Sequence, residues 1–138
     1  MSASYSARSW GLAYLAALLT LLVLDGLWLG LVARDLYQRE MGSLLRESPD
    51  MVPAAAFYLL YPAGLTYLVL SGRPAGWGTA VLRAAVVGFV AYGTYDATNL
   101  SVLEGFPAGL AVIDVLWGVF LTAVAGAALY RAALATSR

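Results

Sequence analysis

Asp25, Asp96 and Asp114 are the residues best placed to do chemistry in this chain. Asp25 is the one charge inside Trp10–Ala33, an otherwise apolar run of about two dozen residues, long enough at about 1.5 Å per residue to cross a hydrocarbon core about 30 Å thick. An Asp near the middle of such a helix is unfavourable by about 2.5–3.5 kcal/mol on insertion scales, so something must offset it. Intramembrane carboxylates are candidate sites for a proton, a cation or a ligand headgroup, and two carboxyls gathered in a low dielectric can share one proton. The competing reading is interhelical glue, with each Asp accepting hydrogen bonds from Trp28, Trp117, Tyr58, Tyr61 or Tyr92.

The composition narrows the chemistry further. The chain has 138 residues, 62 % apolar and 12 % charged, against roughly 45–50 % and 25 % in soluble domains, which marks a membrane protein. Cysteine and histidine are both missing. That excludes disulfides, thiol nucleophiles, zinc-finger ligands, His-ligated haem and a His general base. A formal net charge of zero implies no nucleic-acid partner. No Gly-rich phosphate loop, Ser-His-Asp set or paired Glu motif is present, so no catalytic residue can be assigned and no cofactor is expected. Three carboxylates suit a hard cation in principle, but nothing in their spacing fixes a metal site, and none is assigned.

The elements that must position these groups follow from hydropathy. We expect one all-α transmembrane domain, residues 1–138: an up-down-up-down four-helix bundle with short links. The helices fall at about 10–33, 51–70, 78–95 and 107–130, with a surface helix over about 34–45. Met1–Ser9 reads as a short frayed lead. Asp50 N-caps the second helix, and Pro62 should kink it. Asp96–Phe106 reads as a polar connection, and RAALATSR as a tail. The first apolar run is longer than the hydrophobic part of a cleaved signal peptide and reads as a retained helix. Arg8, Arg73, Arg83, Arg131 and Arg138 fall on one side and Arg34, Arg39 and Arg46 on the other. The arginine bias therefore puts both termini in the cytoplasm of a multi-pass protein of the bacterial inner membrane.

Depth and spacing then gather the polar groups. Asp25 lies about 13 Å and Asp114 about 10 Å below the same end of the bundle, and Tyr61 about 12 Å in. Asp96 ends the third helix on that side, with Tyr92 one turn deeper. Asp114, Gly118, Thr122 and Gly126 recur every four residues, as do Gly88, Tyr92 and Asp96, and small residues on such stripes let helices approach closely. Asp25–Gly30 (DGLWLG) and Asp114–Gly118 (DVLWG) each set an Asp three residues before a Trp, a weak internal echo.

The stretches DGLWLG (Asp25–Gly30), YDATNL (Tyr95–Leu100) and DVLWG (Asp114–Gly118) together resemble a bacterial family of predicted four-helix membrane proteins, domain of unknown function 2177. The likeness spans nearly the whole chain, and YDATNL is its most specific part. The family has no assigned reaction, so the resemblance implies a fold and a location. Members look to be encoded near lipid-modifying enzymes, which implies a lipid-related role.

The expected site is an intramembrane polar pocket of Asp25, Trp28, Tyr58, Tyr61, Tyr92, Asp96, Asn99, Asp114 and Trp117, with Asn99 at its rim. The expected function is binding of membrane lipids or other amphiphiles, as an accessory to lipid modification. The alternative is a small proton- or ion-coupled transporter, which with so few helices would have to be a homodimer.

Overall fold

The computed structural model describes residues 4–137, and all its regular elements are helical. Met1–Ala3 of the N-terminal lead, and Arg138 of the arginine count, lie outside the described residues. Five α-helices follow in order: α1 (Ala7–Leu27), α2 (Arg34–Met41), α3 (Met51–Leu70), α4 (Trp77–Val102) and α5 (Ala108–Thr136). A π-helical turn, Trp28–Val32, joins α1 to α2, and a 3₁₀ turn, Gly42–Leu44, follows α2.

Several boundaries differ from those read in the sequence. The first helix starts at Ala7, because the Ser6 hydroxyl accepts from the Ser9 amide at 3.0 Å and caps it. Its last turn widens to π geometry instead of ending as α-helix at Ala33. α4 does not stop at Tyr95 but runs on to Val102, so most of the expected polar connection is helix. Polar residues there point aside without breaking the backbone ladder; the Ser101 hydroxyl bonds back to the Ala97 carbonyl at 2.8 Å. The link to α5 is then short and turns at Gly105, whose φ of +76° favours glycine. The tail is helical through Thr136. α3 runs unbroken through Pro62, with Asp50 capping its start. Near the proline, the Tyr14 hydroxyl donates to the Leu59 carbonyl at 2.9 Å.

Small residues decide which helices pack. α4 and α5 form the most extensive pair, then α1 and α5. The buried face of α1 is Ser9, Ala13, Ala17, Leu21 and Asp25, a residue every four. α4 buries Ala80, Ala84, Gly88 and Asp96, and α5 answers with Gly118, Thr122 and Gly126. The backbones come so close that a Cβ on Gly88 would lie 2.6 Å from the Gly118 carbonyl oxygen. α3 packs more loosely, mainly on α1 and α4.

Contacts at the helix ends fix direction. The Ser9 hydroxyl donates to the Thr136 carbonyl at 3.0 Å. The Arg73 guanidinium sits 4.4 Å above the Tyr5 ring, and Trp77 meets Tyr130 edge-on at 4.9 Å. The start of α1, the α3–α4 link and the end of α5 therefore share one end of the molecule. α2 lies at the other. Large apolar side chains, among them Leu19, Val23, Leu60, Leu82, Phe89 and Leu116, cover the exterior. Three segments are long and apolar enough to cross a membrane: Ala7–Val32, Met51–Leu70 and Ala108–Thr136. α4, which carries Arg83 and Asp96, is not among them.

Arg83 has a structural task. Its Nη1 donates to the Val69 carbonyl at 3.0 Å and the Ser71 carbonyl at 2.7 Å, serving the unpaired carbonyls at the end of α3. Arg83→Met keeps the stem and removes the donor. It is expected to cost about 1.5–3 kcal/mol and to speed amide exchange in the last turn of α3 first. Exchange unchanged in that turn would refute the capping role.

Candidate functional site

The site is built where α1 gives way to the π turn. Asp25, 8 % exposed, ends the buried stripe of α1 and points across to α3 and α5. Its Oδ2 accepts from the Tyr58 hydroxyl at 2.6 Å and its Oδ1 from Trp117 Nε1 at 2.9 Å. Both oxygens of the carboxyl group thus have a donor, which offsets much of the cost of its burial. Trp28, three residues after Asp25, stacks on Trp117, with ring centroids 4.5 Å apart and planes within 9°. The repeated Asp-x-x-Trp spacing thus brings the two indoles face to face, while their hydrogen bonding differs. Trp117 serves the other helix's Asp25, but the Trp28 N–H is buried without a well-aligned acceptor.

Asp114 takes a different partner. The Tyr37 hydroxyl, from α2, donates to its Oδ1 at 2.7 Å. Burial, and after it the adjacent Asp114 carboxylate, hold the Tyr37 hydroxyl well above the ordinary tyrosine range, so it remains a proton donor at any physiological pH. Asp96, 2 % exposed, lies near Asp114 on the neighbouring helix, and its buried Oδ2 has no hydrogen-bond partner.

Asp25 and Asp114 face one cavity of about 330 Å³. Trp28, Trp117, Tyr37, Tyr58, Tyr92 and Phe57 form most of its wall, with Leu29, Ala91 and Tyr95 completing it. Leu29, Phe57 and Tyr95 are also exposed, so the cavity reaches the apolar exterior of the molecule. Among the described residues no arginine lines it, and no three carboxylates gather closely enough to hold a metal ion.

A family model described as "Predicted membrane protein (DUF2177)" matches residues 10–131. The chain belongs to this family. No curated protein and no solved structure matches it. The family description gives a membrane location and no reaction, so chemistry must be argued from the site.

Within this DUF2177 chain, six of the nine residues expected at the pocket line the cavity: Asp25, Trp28, Tyr58, Tyr92, Asp114 and Trp117. Tyr61, Asp96 and Asn99 do not. Tyr61 lies deeper, its hydroxyl 2.8 Å from Thr122 Oγ1, and its ring stacks on Phe57. Asp96 is held behind Asp114 and borders a separate groove between α4 and α5 with Phe89 and Leu116. Asn99 is no rim residue of this cavity, because α4 carries it on past the site; its carbonyl accepts the closing Leu103 amide at 2.9 Å. Leu29, Tyr37, Phe57, Ala91 and Tyr95 line it as well. Tyr37 sits among the charges of DLYQRE, and only its place on a helix folded back against α5 reveals it. Phe57, adjacent to Tyr58, borders the opening.

Proposed function

We propose that this chain binds a lipid or other amphiphile in a polar cavity set within the bacterial inner membrane, as an accessory to membrane-lipid modification. One observation carries the reading: a cavity with two carboxylates at its heart opens through exposed apolar residues onto the greasy exterior. A head buried beside Asp25 and Asp114 with a tail leaving the cavity for the apolar exterior matches that division of polarity. Mass spectrometry of gently purified protein is expected to find one co-purifying amphiphile that Asp25→Asn depletes. Finding none, with membrane lipid composition unaltered by Asp25→Asn, would defeat the reading.

In this reading α4 is a fourth span, completing an up-down-up-down bundle in one transmembrane domain with both termini in the cytoplasm. Its buried Asp96 and its Arg83, tied to carbonyls at the end of α3, lower the hydropathy of α4. The chain has no cysteine, so single-cysteine variants are clean reporters. Cysteines replacing Ser71 and Ser137 are expected to react with impermeant maleimide only from the cytoplasmic side, and one replacing Glu104 only from the opposite side. Labelling of positions 71 and 104 from the same side would remove the fourth span.

A second reading has its own support. Two carboxyls on neighbouring helices, with the buried Asp96 Oδ2 unpartnered beside Asp114, suit a proton-coupled transporter, built as a homodimer. Proton flux in liposomes abolished by both Asp96→Asn and Asp114→Asn would favour it over amphiphile binding.

A further inference from the structure

The polar cavity adjoins a second space. Ala91 borders both it and an open groove of about 600 Å³ along the seam between α3 and α4, whose Leu68, Leu82, Val86 and Val90 are exposed. Leu68, Leu82, Val86, Val87 and Val90 wall that seam, and Arg83 lies towards its far end. From Ala91 down to Leu82 the seam extends about 13 Å along α4. Its wall is hydrocarbon almost throughout, so the two spaces together form a polar chamber with an apolar extension.

The chamber's charged side chains are of one sign. It presents the Asp25 and Asp114 carboxylates, and the hydroxyl protons of Tyr58 and Tyr37 are already given to them. Those two hydroxyls therefore offer lone pairs. Around them stand the aromatic rings of Trp28, Trp117, Tyr92 and Phe57. Carboxylates beside aromatic faces are the environment that recognises an ammonium group, through charge and cation–π attraction. A phosphate or carboxylate head would meet like charge, with no arginine lining the chamber among the described residues to balance it.

We infer that the ligand is a single-chain amphiphile with a cationic amine or quaternary ammonium head. The head lies between Asp25 and Asp114, and the alkyl tail lies along the α3–α4 seam past Ala91. This inference rests on the amphiphile-binding reading above and specifies its ligand. The meeting of the two spaces at Ala91 favours one molecule filling both over a second copy of the chain laid on the seam, which would leave the polar chamber empty.

The test uses the full chain in neutral maltoside micelles, titrated separately with dodecyltrimethylammonium, tetramethylammonium and dodecyl phosphate. Near-UV circular dichroism of the stacked Trp28–Trp117 pair reports occupancy, and size-exclusion chromatography reports oligomeric state. The long-chain ammonium is expected to saturate the signal at about tenfold lower concentration than the phosphate, a difference of about 1.4 kcal/mol. Asp114→Asn, and independently Asp25→Asn, are expected to weaken its binding about tenfold. Val86→Trp, which fills the seam without touching the chamber, is expected to weaken the long-chain ammonium several-fold and leave tetramethylammonium unaffected. Equal binding of the phosphate overturns the cationic head while amphiphile binding stands. If Val86→Trp alters oligomeric state, or leaves binding of the long-chain ammonium unchanged, the tail assignment falls. No saturable response to either long-chain probe overturns both this inference and the reading beneath it.

Discussion

Gly126→Ala is expected to lower the unfolding free energy by about 2–3 kcal/mol, a large loss for one methyl group. The added Cβ would occupy the space of the Ala84 methyl on α4. That methyl is fixed to the backbone and has no rotamer to adopt, so relief requires the two helices to part. Parting them also disturbs Gly88 against Gly118 and the Tyr92 ring that lies over Gly118, since all belong to the same four-residue stripes. Ala84→Gly in the same chain returns the space. The double variant is expected to recover most of the loss, less about 1 kcal/mol for a glycine inside a helix. Unfolding in graded denaturing detergent measures both. Gly126→Ala with undiminished stability would mean that α4 and α5 do not approach as described.

Asp25→Ala is expected to cost about 3 kcal/mol. The substitution strands the half-buried Tyr58 hydroxyl and Trp117 N–H, and a donor left unpaired away from water costs about 1–3 kcal/mol. Asp25→Asn is expected to cost less, because its carbonyl oxygen can still accept one of the two bonds. Both variants free Trp117 to shift relative to Trp28, so the near-UV dichroism of the stacked pair should weaken together with the stability. Asp25→Ala folding as firmly as the parent, with an unchanged indole spectrum, would show that the carboxylate does not tie α1, α3 and α5 together.

The stripes behind these predictions can be read from the sequence. Asp114, Gly118, Thr122 and Gly126 share one face by spacing alone, and Gly88, Tyr92 and Asp96 another, so close packing of α4 on α5 follows from residue size. The matched depths of Asp25 and Asp114 likewise come from counting residues along rods of known rise. What spacing cannot give is azimuth between helices. Asp96 shares a level with the other two carboxyls, yet it faces Asp114 from behind and misses the cavity. Asn99 was expected at a rim because Asp96–Phe106 is polar. Local polarity loses there to the backbone ladder, which a helix keeps whenever its polar side chains can point aside. Tyr37 is the clearest omission. Its segment is rich in charge, and a tyrosine in such a stretch reads as a surface residue until α2 folds back onto α5.

The π turn at Trp28–Val32 gives that return its bearing. An α-helix advances about 100° per residue, so one residue accommodated as a wider turn rotates everything after it by roughly that angle. α2 inherits the rotation, and with it the compass heading that aims Tyr37 at Asp114. Shortening the turn by one residue would leave every side chain of α2 intact and swing the helix away like a mis-set clock hand, exposing Asp114 although no contact residue had been changed. A single extra peptide unit thus acts as the phase setting between the first transmembrane candidate and the helix that shields the cavity.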